Sequence, residues 1–236
     1  MKRSARIGSA LASSVAALLL LSVSGLAAPA VGTTDVRTPN QAGYVATATA
    51  PITRFTGTLG VPTLTCPASG DVNITAFVYL TDPNTGESAN FGWFASCSDG
   101  VAVYEFAAVG IGAGANASVT IAPGDTLRFS MRQNAVKGTV TASVEDLATD
   151  LSVSATAVID PAFEDISATT SFCDCAGNVS PIPSFTPVVF GRLKFDGSPL
   201  GSLSPTKYEM YDGSVRQVKT SVVSRRGTFS SIFENA

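Results

Sequence analysis

The chain of 236 residues contains no histidine. That excludes Ser-His-Asp and Cys-His catalysis and histidine-ligated zinc, because each needs an imidazole to move a proton or hold the metal. Any hydrolytic chemistry must run on carboxylates, amides or a lysine. One block of such residues, flanked by aromatics and glycine, runs from Ala89-Asn90-Phe91-Gly92-Trp93 through Cys97-Ser98-Asp99-Gly100 to Tyr104-Glu105-Phe106. Asn90 supplies an amide and Glu105 a carboxylate. Further on, Ser171-Phe172-Cys173-Asp174-Cys175 sets an acid between two thiols, and Glu164 precedes it. Each also has a plain structural reading, as a strand carboxylate bonded to a neighbour, an edge amide or an exposed turn acid. Trp93, the only tryptophan, follows Phe91 by two residues and so shares its strand face. That face is either core or a stacking platform for peptide or sugar.

The elements that must position these residues are strands. Short β-branched runs alternate with turn residues and helical periodicity is nearly absent, as in an all-β sandwich. From Gly138 to Asp146, Val140, Ala142 and Val144 alternate with Thr139, Thr141, Ser143 and Glu145. Similar runs span Ser118 to Ile121 and Thr126 to Arg132, joined by the turn Ala122-Pro123-Gly124-Asp125. Others cover 44–50, 55–59, 74–80, 91–96, 101–109, 151–158, 169–173, 188–195, 206–211, 220–223 and 228–232. Roughly twelve to fourteen strands are too many for one open sheet and predict two face-packed antiparallel sheets. Gly177 to Pro187, with three prolines, reads as a surface loop.

Residues 1–30 read as a secretory signal peptide: Lys2, Arg3 and Arg6, then apolar residues from Leu11 to Leu26, then Ala28-Pro29-Ala30. Cleavage near Ala30 predicts a secreted single domain over 31–236, free of the membrane. It leaves twelve cations against eighteen carboxylates, a side-chain charge of −6. An acidic surface argues against nucleic acid and anionic membranes as partners. In an oxidising compartment the four cysteines, Cys66, Cys97, Cys173 and Cys175, are expected in disulfides, with three possible pairings. Cys66–Cys97 is favoured because its loop spans one strand pair and ends at the turn Ser98-Asp99-Gly100, leaving Cys173 and Cys175. Neither a metal nor a cofactor is expected, and the oligomeric state is not specified.

In order along the chain, several motifs resemble the glutamic peptidases (eqolisins). They are Asn40-Gln41-Ala42-Gly43-Tyr44, Phe55 to Pro62 followed by Cys66, and Ala76-Phe77-Val78-Tyr79-Leu80. The block Asn90-Phe91-Gly92 to Tyr104-Glu105, the turn Pro123-Gly124-Asp125, and Phe190-Gly191-Arg192-Leu193-Lys194-Phe195 continue the series. The resemblance implies a concanavalin A-like jelly roll and a mechanism in which a glutamate takes a proton from water while a glutamine holds it. Asn90 then stands at the glutamine position and Ser171 at the glutamate position. A serine cannot serve as that base, and an asparagine falls short of glutamine's reach by over an ångström, a displacement able to cost about a hundredfold in rate. The resemblance therefore implies an inactive homologue binding extracellular peptide or glycan in a cleft of Phe77, Asn90, Trp93, Tyr104, Glu105 and Phe172. The competing expectations are an active acid endopeptidase, with Glu105, Asp174 or Glu164 as base, and a structural or adhesion domain.

Overall fold

Backbone pairing between strands distant in sequence organises the chain. The computed structural model describes residues 35–173 and 182–234. The strands are β1 (Asp35–Thr38), β2 (Gln41–Thr47), β3 (Arg54–Gly60), β4 (Leu64–Thr65), β5 (Asp71–Thr81) and β6 (Ser88–Ser98). They continue as β7 (Val101–Ile111), β8 (Ala115–Val119), β9 (Thr126–Asn134), β10 (Thr139–Asp146), β11 (Leu151–Ala157) and β12 (Asp165–Cys173). The last six are β13 (Ser184–Phe185), β14 (Val188–Phe195), β15 (Ser198–Pro199), β16 (Thr206–Asp212), β17 (Val215–Thr220) and β18 (Phe229–Phe233). The one helical element among the described residues is a 3₁₀ turn, Leu200–Leu203.

One hydrogen-bonded path runs β11-β10-β9-β3-β14-β18-β17-β16-β2-β12-β5-β6-β7-β8. Its pairs are antiparallel; β1 adds to β16 in parallel. The ends of the path meet, β11 lying against β8 and β10 against β7. The path is thus folded over into a nearly closed antiparallel sandwich, as the alternation predicts. A separate pair, β4 with β13, brings Ser184 and Phe185 of the expected loop into a short ladder. Another expected strand is displaced: β17 occupies 215–220, ahead of the apolar run 220–223. There the Val223 N–H donates instead to the Tyr44 hydroxyl at 3.1 Å, while Arg216 binds Glu234 and Glu209 at 2.7 and 3.1 Å and holds β17 in place. Residues 1–34, 174–181 and 235–236, and with them the signal-peptide reading, Asp174 and Cys175, lie outside the described residues.

Between the layers, Phe55 packs on Phe91 with centroids 4.8 Å apart, and Phe190 stacks on Phe229 at 4.5 Å. Trp93, fully buried, sends its indole N–H from β6 across to the Gly60 carbonyl on β3 at 3.1 Å. Removing that side chain leaves a large cavity and an unpaired carbonyl, so Trp93→Ala is expected to cost about 3–5 kcal/mol in urea unfolding. The favoured disulfide is present: Cys66 and Cys97 are bonded, with Cα atoms 5.5 Å apart. It ties the segment after β4 to the end of β6. Closing a loop of 31 residues restricts the unfolded chain, so the Cys66→Ser/Cys97→Ser pair should lower unfolding free energy by about 3–4 kcal/mol without altering the far-ultraviolet spectrum.

Candidate functional site

The outer face of the β2-β12-β5-β6-β7 layer carries Asn90. Residues directly opposite one another on paired strands share a face, so the register fixes its composition. Asn90 lies in a row with Val45, Ser167, Tyr79, Gly110 and Asn116. The next row holds Gly43, Thr169, Phe77, Gly92, Ala108 and Ser118, and a third holds Gln41, Ser171, Thr75, Phe94 and Phe106.

Two glycines shape this surface. A Cβ on Gly92 would lie 2.5 Å from the Phe77 ring and collide with the Ala76 carbonyl, so the bare backbone lets Phe77 lie flat across β6. A Cβ on Gly110 would come 2.8 Å from the Asn90 side-chain nitrogen, so the amide occupies the space glycine leaves. Phe77 in turn contacts Tyr79 with centroids 5.4 Å apart, and Phe94 stacks on Phe106 at 5.9 Å and 15°. Tyr79 and Phe106 remain 39% and 38% exposed, enough ring surface to stack on a ligand. Partial burial pushes the Tyr79 phenol above its usual pKa, so it stays neutral and able to donate.

The residues expected in the cleft divide between the two faces. Phe77, Asn90 and Glu105 point outward. Trp93, Tyr104 and Phe172 do not, a correction that follows from strand alternation. Trp93 is one residue out of phase with Gly92 and belongs to the core. Tyr104 pairs with Ala95 of the core face; its hydroxyl donates to the Pro62 carbonyl at 3.0 Å and accepts the Leu64 N–H at 2.9 Å, clamping β7 to the β3–β4 connection. Phe172 is buried against Phe185, centroids 5.4 Å apart.

The two positions expected to share one water are also separated. Ser171 is two strands and four residues from Asn90, roughly 16 Å by strand spacing and rise. Glu105 sits at a bulge where the β6–β7 register shifts, exposed beside Phe106, and accepts a 3.4 Å hydrogen bond from the Ser96 hydroxyl. It lies opposite the Phe94–Ala95 step of β6, one strand over and more than four residues along from Asn90. Glu164 precedes β12, where its backbone bonds Thr81 and Ala48. Asp165 stands one row past Asn90 and two strands away, its carboxylate taken by the Thr47 hydroxyl at 2.9 Å. Among the described residues, no carboxylate hydrogen-bonds the Asn90 amide, and no three His, Cys, Asp or Glu side chains form a metal-binding group. Tyr79, in Asn90's own row, is the site residue the sequence reading passed over; its spacing of two from Phe77 was the available signal.

The all-β sandwich and its strand order define the class, and the comparisons identify the family. The Peptidase A4 family model matches residues 39–232, and the chain belongs to that family. Among solved structures it is similar to scytalido-glutamic peptidase bound to a peptide-based transition-state analog, at TM-score 0.61 and 17% identity over 83% of this chain and 98% of that one. It is also similar to SCP-B, a member of the eqolisin family in a complex with the tripeptide Ala-Ile-His, at 0.56 and 18% over the same shares. At these identities the likeness carries the fold. A comparison with curated proteins finds no match.

The hairpin that sets Asn90's row is closed by Asp82. Its buried carboxylate accepts the N–H groups of Ala162 at 2.9 Å and Asn84 at 2.8 Å, tying the β5–β6 turn to the approach to β12. These bonds, the one from Ala162 foremost, hold its pKa below the usual value. A pKa lowered by folding adds stability only while the group is ionised. The contribution is therefore complete above about pH 4 and lost as pH falls through the folded value. In thermal melts, the Tm gap between the parent and Asp82→Asn should be wide near neutrality and close progressively in acid. Gly92→Ala is expected to cost about 1–3 kcal/mol in the same melts, because its new methyl meets a ring and a carbonyl at once.

Proposed function

We propose that this chain is a secreted, non-catalytic member of its family that holds an extended peptide or glycan on the outer face around Phe77, Tyr79 and Asn90. The observation that carries this reading is the row of Asn90 itself: Val45, Ser167, Tyr79, Gly110 and Asn116 include no proton acceptor fit to be a general base. A base must come within hydrogen-bond reach of the water it activates, and Glu105 and Ser171 are each too distant to share one with Asn90. What remains supports binding: neutral rings to stack on, an amide, and the half-buried hydroxyl of Ser167. Peptide stands ahead of glycan because the two related structures hold peptide-based ligands. The signal pattern over residues 1–30 and the Cys66–Cys97 disulfide support an extracellular setting.

Family membership favours a second reading, an acid endopeptidase with Asp174 or another acid as base. Digestion of denatured casein at acidic pH separates the two. No cleavage is expected, and cleavage abolished by Asp174→Asn or Glu105→Gln would establish the peptidase instead. In peptide and glycan arrays, Tyr79→Ala and Phe77→Ala are each expected to weaken binding about tenfold, in keeping with stacking energies near 1 kcal/mol plus lost area. An array without a single Tyr79-dependent hit would leave the structural reading in place.

A further inference from the structure

The other outer face of the sandwich is basic. Arg54, Arg128, Arg132, Arg192 and Lys194 stand exposed on β3, β9 and β14, and Arg226 lies beside them on the β17–β18 connection. These six are half of the twelve cations between residues 35 and 234, in a chain where carboxylates are in excess. Two acids share the face. Glu145 bridges Arg128 at 2.8 Å, and Asp196 is engaged by the Thr53 N–H at 3.1 Å and hydroxyl at 2.9 Å. Arg54, Arg132, Arg192, Lys194 and Arg226 have no ion pair among the described residues.

Two details run against stability. Arg54 lies directly opposite Arg132 across the β3–β9 pair, and like charges so placed repel. Arg192 holds a left-handed φ of 52° at a break in the β14–β3 register, a conformation that costs a non-glycine residue on the order of 1 kcal/mol. Both arrangements turn cations toward the same surface. Adjoining depressions of about 460, 370 and 320 Å³ cover it, sharing Lys194, Thr56 and Arg192 between them.

We propose that this face binds an acidic polysaccharide, one bearing carboxylate or sulfate groups along an extended chain. Guanidinium forks match such anions with paired hydrogen bonds, and the hydroxyls of Thr56, Thr58 and Ser130, set between the cations by the register, suit sugar hydroxyls. A peptide is less well served. β3, β9 and β14 are each paired on both sides, so no strand edge is open for a peptide to extend. Leu147 is the one apolar side chain lining the depressions, which leaves neither anchoring pockets for a peptide nor apolar insertion into a membrane.

The test uses the mature chain on immobilised polygalacturonate. Binding is expected near 50 mM salt and should weaken steeply with added salt as condensed counterions cease to drive association, in the manner of other polyanions. Arg192→Gln/Lys194→Gln and Arg54→Gln/Arg132→Gln should each reduce affinity roughly tenfold or more. Lys219→Gln, an exposed cation elsewhere, should leave it unchanged, which separates this face from the other cations. Unaltered melting curves show that the variants fold. The proposal is overturned by absence of binding at low salt, by equal loss in Lys219→Gln, or by tighter binding to polyglutamate, duplex DNA or anionic vesicles than to polygalacturonate.

Discussion

Trp93 is the point at which the two layers of this protein are fixed to each other. Its ring fills the core beneath β6, and its single polar atom finds the Gly60 carbonyl on the facing layer. A tryptophan buried this completely must satisfy its N–H inside the protein, and doing so sets how β6 lies over β3. Strand alternation then leaves no freedom. With Phe91, Trp93, Ala95 and Cys97 inward, Asn90, Gly92, Phe94 and Ser96 must face out. The Cys66–Cys97 bond holds the far end of the same strand. The candidate site is therefore a consequence of how the core is closed.

Much of this was legible from local pattern. The alternation from Thr139 to Asp146 is the burial pattern of β10, and the turn read at Pro123-Gly124-Asp125 is closed by Asp125, whose carboxylate accepts the Ala122 N–H at 2.6 Å. The disulfide followed from the hairpin it brackets. What could not be read locally was register between strands far apart in sequence. That Ser171 falls opposite Thr75, and so four residues from the row of Asn90, depends on how β12 slides along β5. No pattern within either strand states that offset. The bulge at Glu105 is similar: one extra residue turns both Glu105 and Phe106 outward and breaks the alternation used to assign faces. Tyr104, the neighbour of Glu105, is thereby sent inward.

The same physics separates the frame from whatever chemistry its outer rows carry. Burial of Phe55, Phe91, Phe129 and Phe190 depends on inward positions alone, so the outward rows are free to change without loss of the fold. Gly92 and Gly110 are the exceptions, outward positions constrained by what lies over them. The bare backbone at these two positions keeps Phe77 and Asn90 pressed against the sheet.

A two-layer sandwich has a geometric consequence for its unlike outer faces. The layers stand about 10 Å apart across a close-packed core, so the aromatic rows and the arginine rows look in opposite directions. Molecules held on the two faces at once would not touch, and neither would have to give way to the other. If both proposals hold, the molecule acts as a rivet, a thin body with one chain on one side and a different chain on the other. Its length of reach is set by the thickness of its own core.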